Sequence, residues 1–554
     1  MSVEAAGEGA LRRDLLVLAL LAALLFLPWL GRRDLWNPDE ARYAEVAWEM
    51  REAGVWALPR LNGETYAEKP PLFFWAIRAA ALFTGGVGET ATRLPSALAA
   101  LAATLLVFRL GWRLFGRRAA WLAAAVFATS FKVLWQARFG QIDMVLTAFV
   151  ALAMWWFVRG HDERRPGFYA LFFVACGLAT LAKGPAGLLP PLLAVVAFLV
   201  WSGEPEEIRR LRIGRGLLLW ALVVLAWLVP AALAGGREYF EHIVLRQNLT
   251  RYADPWHHFK PWYYYLTVVP ADFFPWSLLL PSAFVVGRRA EGPARQGVQL
   301  AASWALVTLL FFSLSPGKRS VYMLTMYPAM ALLVAAALDR LAALWPRRRR
   351  WATVPFAVVA LIAAGLFAVV LAVGPRRPEV GALGGELFVW ILAGALLPLL
   401  AGAAAAWWAA RRGRLARAAG WLAAGMGGLM LVGAFAVMPR FDRVKSGRAM
   451  ASALLARMAP DERYGIYPRL DSTILFYARR YAVPLEDAEA LRAFTASEER
   501  VWVLARRADW GRLEERPPLV PVLRDADPFQ GYLLLTNRGE QPDGTSRGAS
   551  GRRR

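Results

Sequence analysis

Apolar runs of about 20 residues, the length an α-helix needs to cross a bilayer core, recur along most of this chain. About thirteen can be marked, near 14–31, 92–113, 118–135, 141–158, 167–183, 187–202, 214–234, 268–287, 297–314, 320–342, 351–374, 386–410 and 415–437. The fifth and sixth are short and separated by LAKGPAG. The pattern predicts an all-α polytopic membrane domain over 1–437, interrupted by two large polar loops, 32–91 and 235–267. Over 440–538 the pattern changes. Short β-type runs (RYGIYP, RVWVLARR, LVPVL, GYLLLTN) alternate with helical stretches such as SGRAMASALLARMA, which predicts a small α/β domain. The Gly/Ser/Arg-rich tail, 539–554, is expected to be disordered.

The first polar loop has its own pattern. ARYAEVAWEMREAG carries apolar residues at helical spacing, so a helix is expected, with Asp39 at its N-cap or first turn and Gly54 at its end. PPLFFWAIRAAALF, with Arg78 near its middle, reads as an interfacial amphipathic helix.

Composition agrees with the pattern. A hydrophobic fraction of 58% is too high for an ordinary soluble domain. No small-residue cleavage site follows the first span, which therefore reads as a retained helix. The loops RLFGRR, RGHDERRPG, IRRLRIGR, GRRAEGPAR, Arg347–Arg350 and RRGRLAR are short and arginine-rich, and such loops belong on the cytoplasmic side. That puts the N-terminus in the cytoplasm and, with an odd helix count, both large polar loops and the α/β domain outside. The net charge of +23 lies largely in these loops, where topology and anionic lipid account for it without nucleic acid. The single Cys176 lies in an apolar span, which leaves no disulfide framework and no thiolate metal site.

Polar residues held against a membrane are costly and mark candidate chemistry. Asp39 and Glu40 are adjacent carboxylates suited to general-base work, although a helix cap would equally account for Asp39. Glu68-Lys69-Pro70-Pro71 offers a compact cation suited to phosphate beside a fixed backbone, against the plainer reading of Lys69 as a snorkelling anchor. Asp143 stands at the outer end of the fourth span. The second loop gathers Arg251, His257, His258 and Lys260 ahead of an aromatic run typical of a membrane interface. One of its histidines with a loop carboxylate would offer a divalent ion two ligands, short of a normal set. SPGKRSVYML adds Lys318, Arg319 and Tyr322, cations and a phenol that can cradle a phosphate. No nucleotide-binding fingerprint is present. Four outside loops thus offer acids or cations at one depth, where a lipid-linked phosphate would present its head.

The order PDEARYAE, LNGETYAEKPPLFFW, FGQID, HHFKPWYYYL and SPGKRSVYMLTMYPA resembles the GT-C membrane glycosyltransferases. Within them it is most similar to the protein mannosyltransferase-like group that includes bacterial aminoarabinose transferases acting on lipid A. The resemblance covers roughly residues 12–440. It implies an inverting transferase that takes a sugar from a polyprenyl-phosphate donor, undecaprenyl phosphate in bacteria, to an envelope acceptor at the outer face of the inner membrane. It implies Asp39 as the catalytic residue, with Asp143 a further catalytic candidate. Lys69, Tyr322 and a second-loop cation, Arg251 or Lys260, would hold the lipid phosphate. Glu68 with His257 or His258 would match a metal pair. Two other readings stay open: a lipid or sugar transporter, for which the LAKGPAG break is the best feature, and an oligosaccharyltransferase using a diphosphate donor.

Overall fold

The computed structural model describes residues 3–250, 259–345, 347–523 and 531–538. It divides into two units, one of 1–33 and 46–440, the other of 34–45 and 441–554.

The first unit is helical. Among the described residues nine helices are long and apolar enough to cross a membrane, or up to eleven if two sharply bent pairs each count as one span. The chain is therefore a polytopic membrane protein, and among the described residues eleven of the thirteen expected spans fall within that count, those near 14–31 and 187–202 falling outside it. Leu189–Ser202 is only 14 residues long, and Val3–Phe26 carries Arg12, Arg13 and Asp14 within it. The expected spans near 118–135 and 268–287 are the bent pairs, Arg117–Ala128 with Phe131–Ala137 at 65° and Tyr264–Asp272 with Trp276–Gly287 at 109°. The two bends meet. The Phe131 amide donates to the Phe274 carbonyl at 2.9 Å, and the Trp276 indole donates to Thr129 Oγ1 at 3.1 Å. Backbone groups freed by a break thereby find partners inside the protein, the condition for irregular chain at membrane depth.

Arginines finish the first helix. The carbonyls of a helix's last turn lack intrahelical partners. Arg138 donates to those of Leu25 and Phe26 at 3.0 and 3.3 Å and also to that of Pro28. Arg93 donates to Leu30 and Arg33 at 2.5 and 2.8 Å. Elsewhere close approach depends on small residues. A Cβ on Gly402 would lie 2.7 Å from the Gly425 Cα, so the Glu386–Arg411 and Leu415–Val432 helices cross backbone to backbone.

The second unit is a five-stranded mixed sheet. With β1 Arg60–Leu61 and β2 Glu64–Thr65 forming a separate hairpin in the first unit, its strands are β3 Arg463–Tyr467, β4 Val483–Pro484, β5 Val501–Arg506, β6 Val520–Leu523 and β7 Tyr532–Thr536. Their order is β4-β3-β5-β7-β6, with β3 parallel to β4 and β5, and β7 antiparallel to its neighbours. Side chains alternate across the sheet. Trp502, Leu504 and Leu534 join one buried cluster with Met450, Leu454 and Ile474, while Val503, Ala505 and Leu535 join another with Leu485 and Leu491. Both faces are covered, which is why β5 reads as an unbroken apolar run.

Residues 34–45 belong to this second unit. The Leu35 amide donates to the Tyr477 hydroxyl at 2.8 Å. The Trp36 indole and the Asp34 amide donate to the Asp442 carboxylate at 2.8 and 3.0 Å. Arg448 donates to Asp34 at 2.6 Å.

Candidate active site

Asp39 opens the helix Asp39–Glu52, and Gly54, at φ +65°, follows its end. The Asp39 carboxylate is buried and accepts from Arg42 at 2.7 Å, one turn on. Glu40 accepts from the Trp36 amide at 3.1 Å, so this carboxylate works as a cap on the backbone that precedes the helix. Both acids lie in the unit that carries the sheet.

The remaining described candidates lie in the membrane unit. In Arg60–Thr65 the Asn62-Gly63 pair has both residues at positive φ, 56° and 80°, the turn that joins a two-residue hairpin. Glu49 grips that turn, accepting from the Asn62 amide and from the Gly63 amide at 2.9 Å. Burial raises the Glu49 pKa, and the two amides oppose that shift. Directly after the hairpin, the Tyr66 hydroxyl donates to Glu68 at 3.4 Å, and Lys69 Nζ donates to the Glu68 carbonyl at 2.9 Å. Leu72–Thr84 follows, 13 residues long, with Arg78 reaching back to the Val55 carbonyl at 2.5 Å.

Asp143 lies in the first turn of Ile142–Glu163 and is paired with Lys183. Lys183 is the last residue of Pro166–Lys183, where LAKGPAG turns into a short 3₁₀ segment. Glycine is required at that break. Gly184 sits at φ +72°, and a Cβ on Gly187 would come within 2.4 Å of the Ala179 backbone. Lys183 Nζ also lies 4.4 Å from the centre of the Tyr322 ring, which packs against Phe312. Asp143, Lys183 and Tyr322 therefore form one group. Ala67 and Leu72, on either side of Glu68-Lys69, share an apolar cluster with Leu181, so the EKPP segment is tied to the helix end that presents Lys183.

The SPGKRS loop is closed by the second large loop. Phe259 bridges Gly317, the Lys260 amide donates to the Pro316 carbonyl at 3.2 Å, and buried Lys318 donates to the carbonyls of Ser315 and Lys260 at 2.5 and 3.2 Å. Burial lowers the Lys318 pKa. Arg319 stands at the head of the 3₁₀ turn Ser320–Met326 that carries Tyr322. Beside it Lys132 donates to Ser320 Oγ at 2.8 Å and lies 3.6 Å from Asp272.

Arg251, His257 and His258 lie outside the described residues. No group of three or more His, Cys, Asp or Glu side chains converges among the described ones. Lys183 and Lys132 were not singled out from sequence. A lysine closing an apolar run reads as an ordinary anchor, and only the GPAG break beside Lys183 hinted at more. An apolar cavity of about 960 Å³ opens in the membrane unit, lined by Tyr265, Val269, Phe284, Leu306 and Met330, with Arg288 and Arg295 among its polar residues.

A family model described as dolichyl-phosphate-mannose-protein mannosyltransferase matches residues 68–232. The undecaprenyl phosphate-α-4-amino-4-deoxy-L-arabinose arabinosyl transferase of Shewanella sediminis is 32% identical over 326 residues, 58% of this chain and 58% of that one. Its Pseudomonas aeruginosa counterpart is 33% identical over 338 residues, 59% and 60%. The matched stretch thus spans about three fifths of each relative's length. The crystal structure of ArnT from Cupriavidus metallidurans in the apo state superposes with a TM-score of 0.80 at 23% identity, covering 96% of this chain and 100% of that one. This is the GT-C fold, of the ArnT type. The same ArnT bound to undecaprenyl phosphate superposes at 0.79, covering 95% and 99%. The archaeal oligosaccharyltransferase AglB follows at 0.51 and 14% identity.

Proposed function

We propose that this chain is an inverting glycosyltransferase of the inner membrane, moving a sugar from a polyprenyl-phosphate donor to an envelope acceptor such as lipid A. The observation that carries this reading is the pairing of about one-third identity to aminoarabinose transferases with a whole-chain fold match to an ArnT holding undecaprenyl phosphate. The donor is then an undecaprenyl phosphate sugar of the 4-amino-4-deoxyarabinose kind, and the reaction takes place at the outer face.

In this reading the acceptor's nucleophile attacks the anomeric carbon while the bond from that carbon to the phosphate oxygen breaks on the opposite face. Asp39 takes the nucleophile's proton, and Arg42, donating to it at 2.7 Å, helps fix where this carboxylate stands. Lys69, Tyr322, Arg319 and a second-loop cation, Lys260 or Arg251, stabilise the charge growing on the departing phosphate, usually the largest catalytic term. Lys183, held between Asp143 and the Tyr322 ring, adds a cation to that set. The apolar cavity that Tyr265 helps to line takes the polyprenyl chain. Glu68 with His257 or His258 would give a divalent ion too few ligands alone, and no step passes through a metal.

The test uses membranes containing the protein and radiolabelled undecaprenyl-phosphate sugars. Wild type transfers label, and Asp39→Asn lowers the rate by about 10²–10⁴-fold, the usual worth of a general base. Unchanged transfer in the variant would overturn the role of Asp39. Absence of transfer from every donor with the wild type would overturn the enzyme reading itself.

A further inference from the structure

The membrane unit has a second concavity, whose polar lining is entirely arginine. A cavity of about 430 Å³ is lined by Arg289, Arg340, Arg347 and Arg348, with Val285, Val286 and Leu344 as its apolar wall. Three segments build it: the end of the Leu280–Gly287 helix, the last turn of Tyr327–Ala343, and the approach to Arg349–Val373. None of the four arginines forms an ion pair among the described residues. Two carboxylates are near in sequence: Asp339 is engaged by Arg118 at 3.3 Å, and Glu291, two residues from Arg289, is not among the residues that line the cavity. Four guanidinium groups around one concavity repel one another unless an anion joins them.

The apolar wall and the place between helix ends indicate which anion. These arginines lie in loops that the positive-inside rule puts in the cytoplasm, where anionic lipid concentrates, and basic pockets between transmembrane helices on that side take lipid phosphates. Guanidinium forks bind phosphate bidentately, and four forks are matched by two phosphates better than by one. We infer that this pocket binds the paired phosphates of a cardiolipin-type lipid, with its acyl chains along Val285, Val286 and Leu344. The site is separate from the candidate active site and does not rest on the proposed transferase activity.

Binding is measured by native mass spectrometry on the full chain in detergent, with cardiolipin, phosphatidylglycerol, phosphatidylcholine and inorganic pyrophosphate as probes. Cardiolipin is expected to bind most tightly, phosphatidylglycerol less, and the other two weakly. Arg340→Gln/Arg347→Gln should weaken cardiolipin about thirty-fold, since each arginine at such a surface is worth about a factor of five. Arg347→Gln, in the loop, gives a milder form of the same loss should the double variant fold poorly. Arg212→Gln/Arg215→Gln removes equal charge from another basic loop and should leave binding within about two-fold. Equal loss in both double variants would reduce the effect to bulk charge and overturn the site. So would equal binding of cardiolipin and phosphatidylcholine, and pyrophosphate binding as tightly as cardiolipin would exclude a lipid site.

Discussion

Lys183 and Asp143 are each the other's compensation. The Asp143 side chain is 7% exposed and that of Lys183 16%, so either charge alone would be stranded in a poor solvent. Removing one partner of such a pair typically costs about 3–5 kcal/mol, whereas removing both costs much less. Asp143→Asn or Lys183→Met should therefore lower the thermal midpoint of the purified protein, and the double variant should recover most of that loss. If the double variant unfolds as early as the worse single one, the two side chains do not compensate each other. Transfer provides a second readout. Should Lys183 serve the donor phosphate, the double variant regains stability while transfer stays low. Sequence made two of the three members of the group with Tyr322 visible. Asp143 and Tyr322 are polar residues beside apolar spans, whereas Lys183 is 40 residues from Asp143 and gains meaning only from the helix pairing that brings them together.

At the scale of an element, the Arg60–Thr65 hairpin shows how a buried acid can hold a functional segment. Glu49 is not a candidate for chemistry, yet it fastens the turn that leads directly into Glu68-Lys69. Hydrogen bonds to a charged group are worth about 1.5–3 kcal/mol each, so losing both in Glu49→Ala should cost about 3–6 kcal/mol and make residues 60–69 an early site of proteolysis. The titration of this group has a definite sign. Its folded pKa is raised above the ordinary 4.5, so the stability it contributes is complete below that value and is lost as pH rises through the raised pKa. Glu49→Gln, which cannot ionise, should show a shallower fall in thermal midpoint from about pH 4.5 towards neutrality. Identical slopes for the two proteins would mean that Glu49 does not carry the shift. The Asn-Gly turn was legible in principle, since that dipeptide favours a hairpin. Its anchor was not, because Glu49 lies in a different element.

At the scale of the whole molecule, the hydropathy pattern disclosed the long spans and the change to alternating strands near residue 440, but two features escaped it. Composition cannot register the 65° and 109° bends, whose backbone is satisfied by a partner bend more than 130 residues away. Nor can it register the pairing of residues 34–45 with a unit that begins some 400 residues later, a contact with no local signature. That pairing has a consequence for Asp39. Its helix starts inside a segment that is fixed by Asp442, Tyr477 and Arg448, so the setting of this carboxylate follows the sheet unit. Asp442 accepts two hydrogen bonds from the segment, and Asp442→Ala should cost about 2–4 kcal/mol locally. The expected outcome is cleavage by protease at 34–45 with the membrane helices still folded, and a drop in transfer of at least about tenfold at saturating donor. Tyr477→Phe removes only the bond to the Leu35 amide and should give a smaller change in the same direction. A donor KM that rises while kcat holds would place the effect on binding instead of on Asp39. Full transfer by Asp442→Ala with a loosened segment would show that this carboxylate needs no support from the sheet unit.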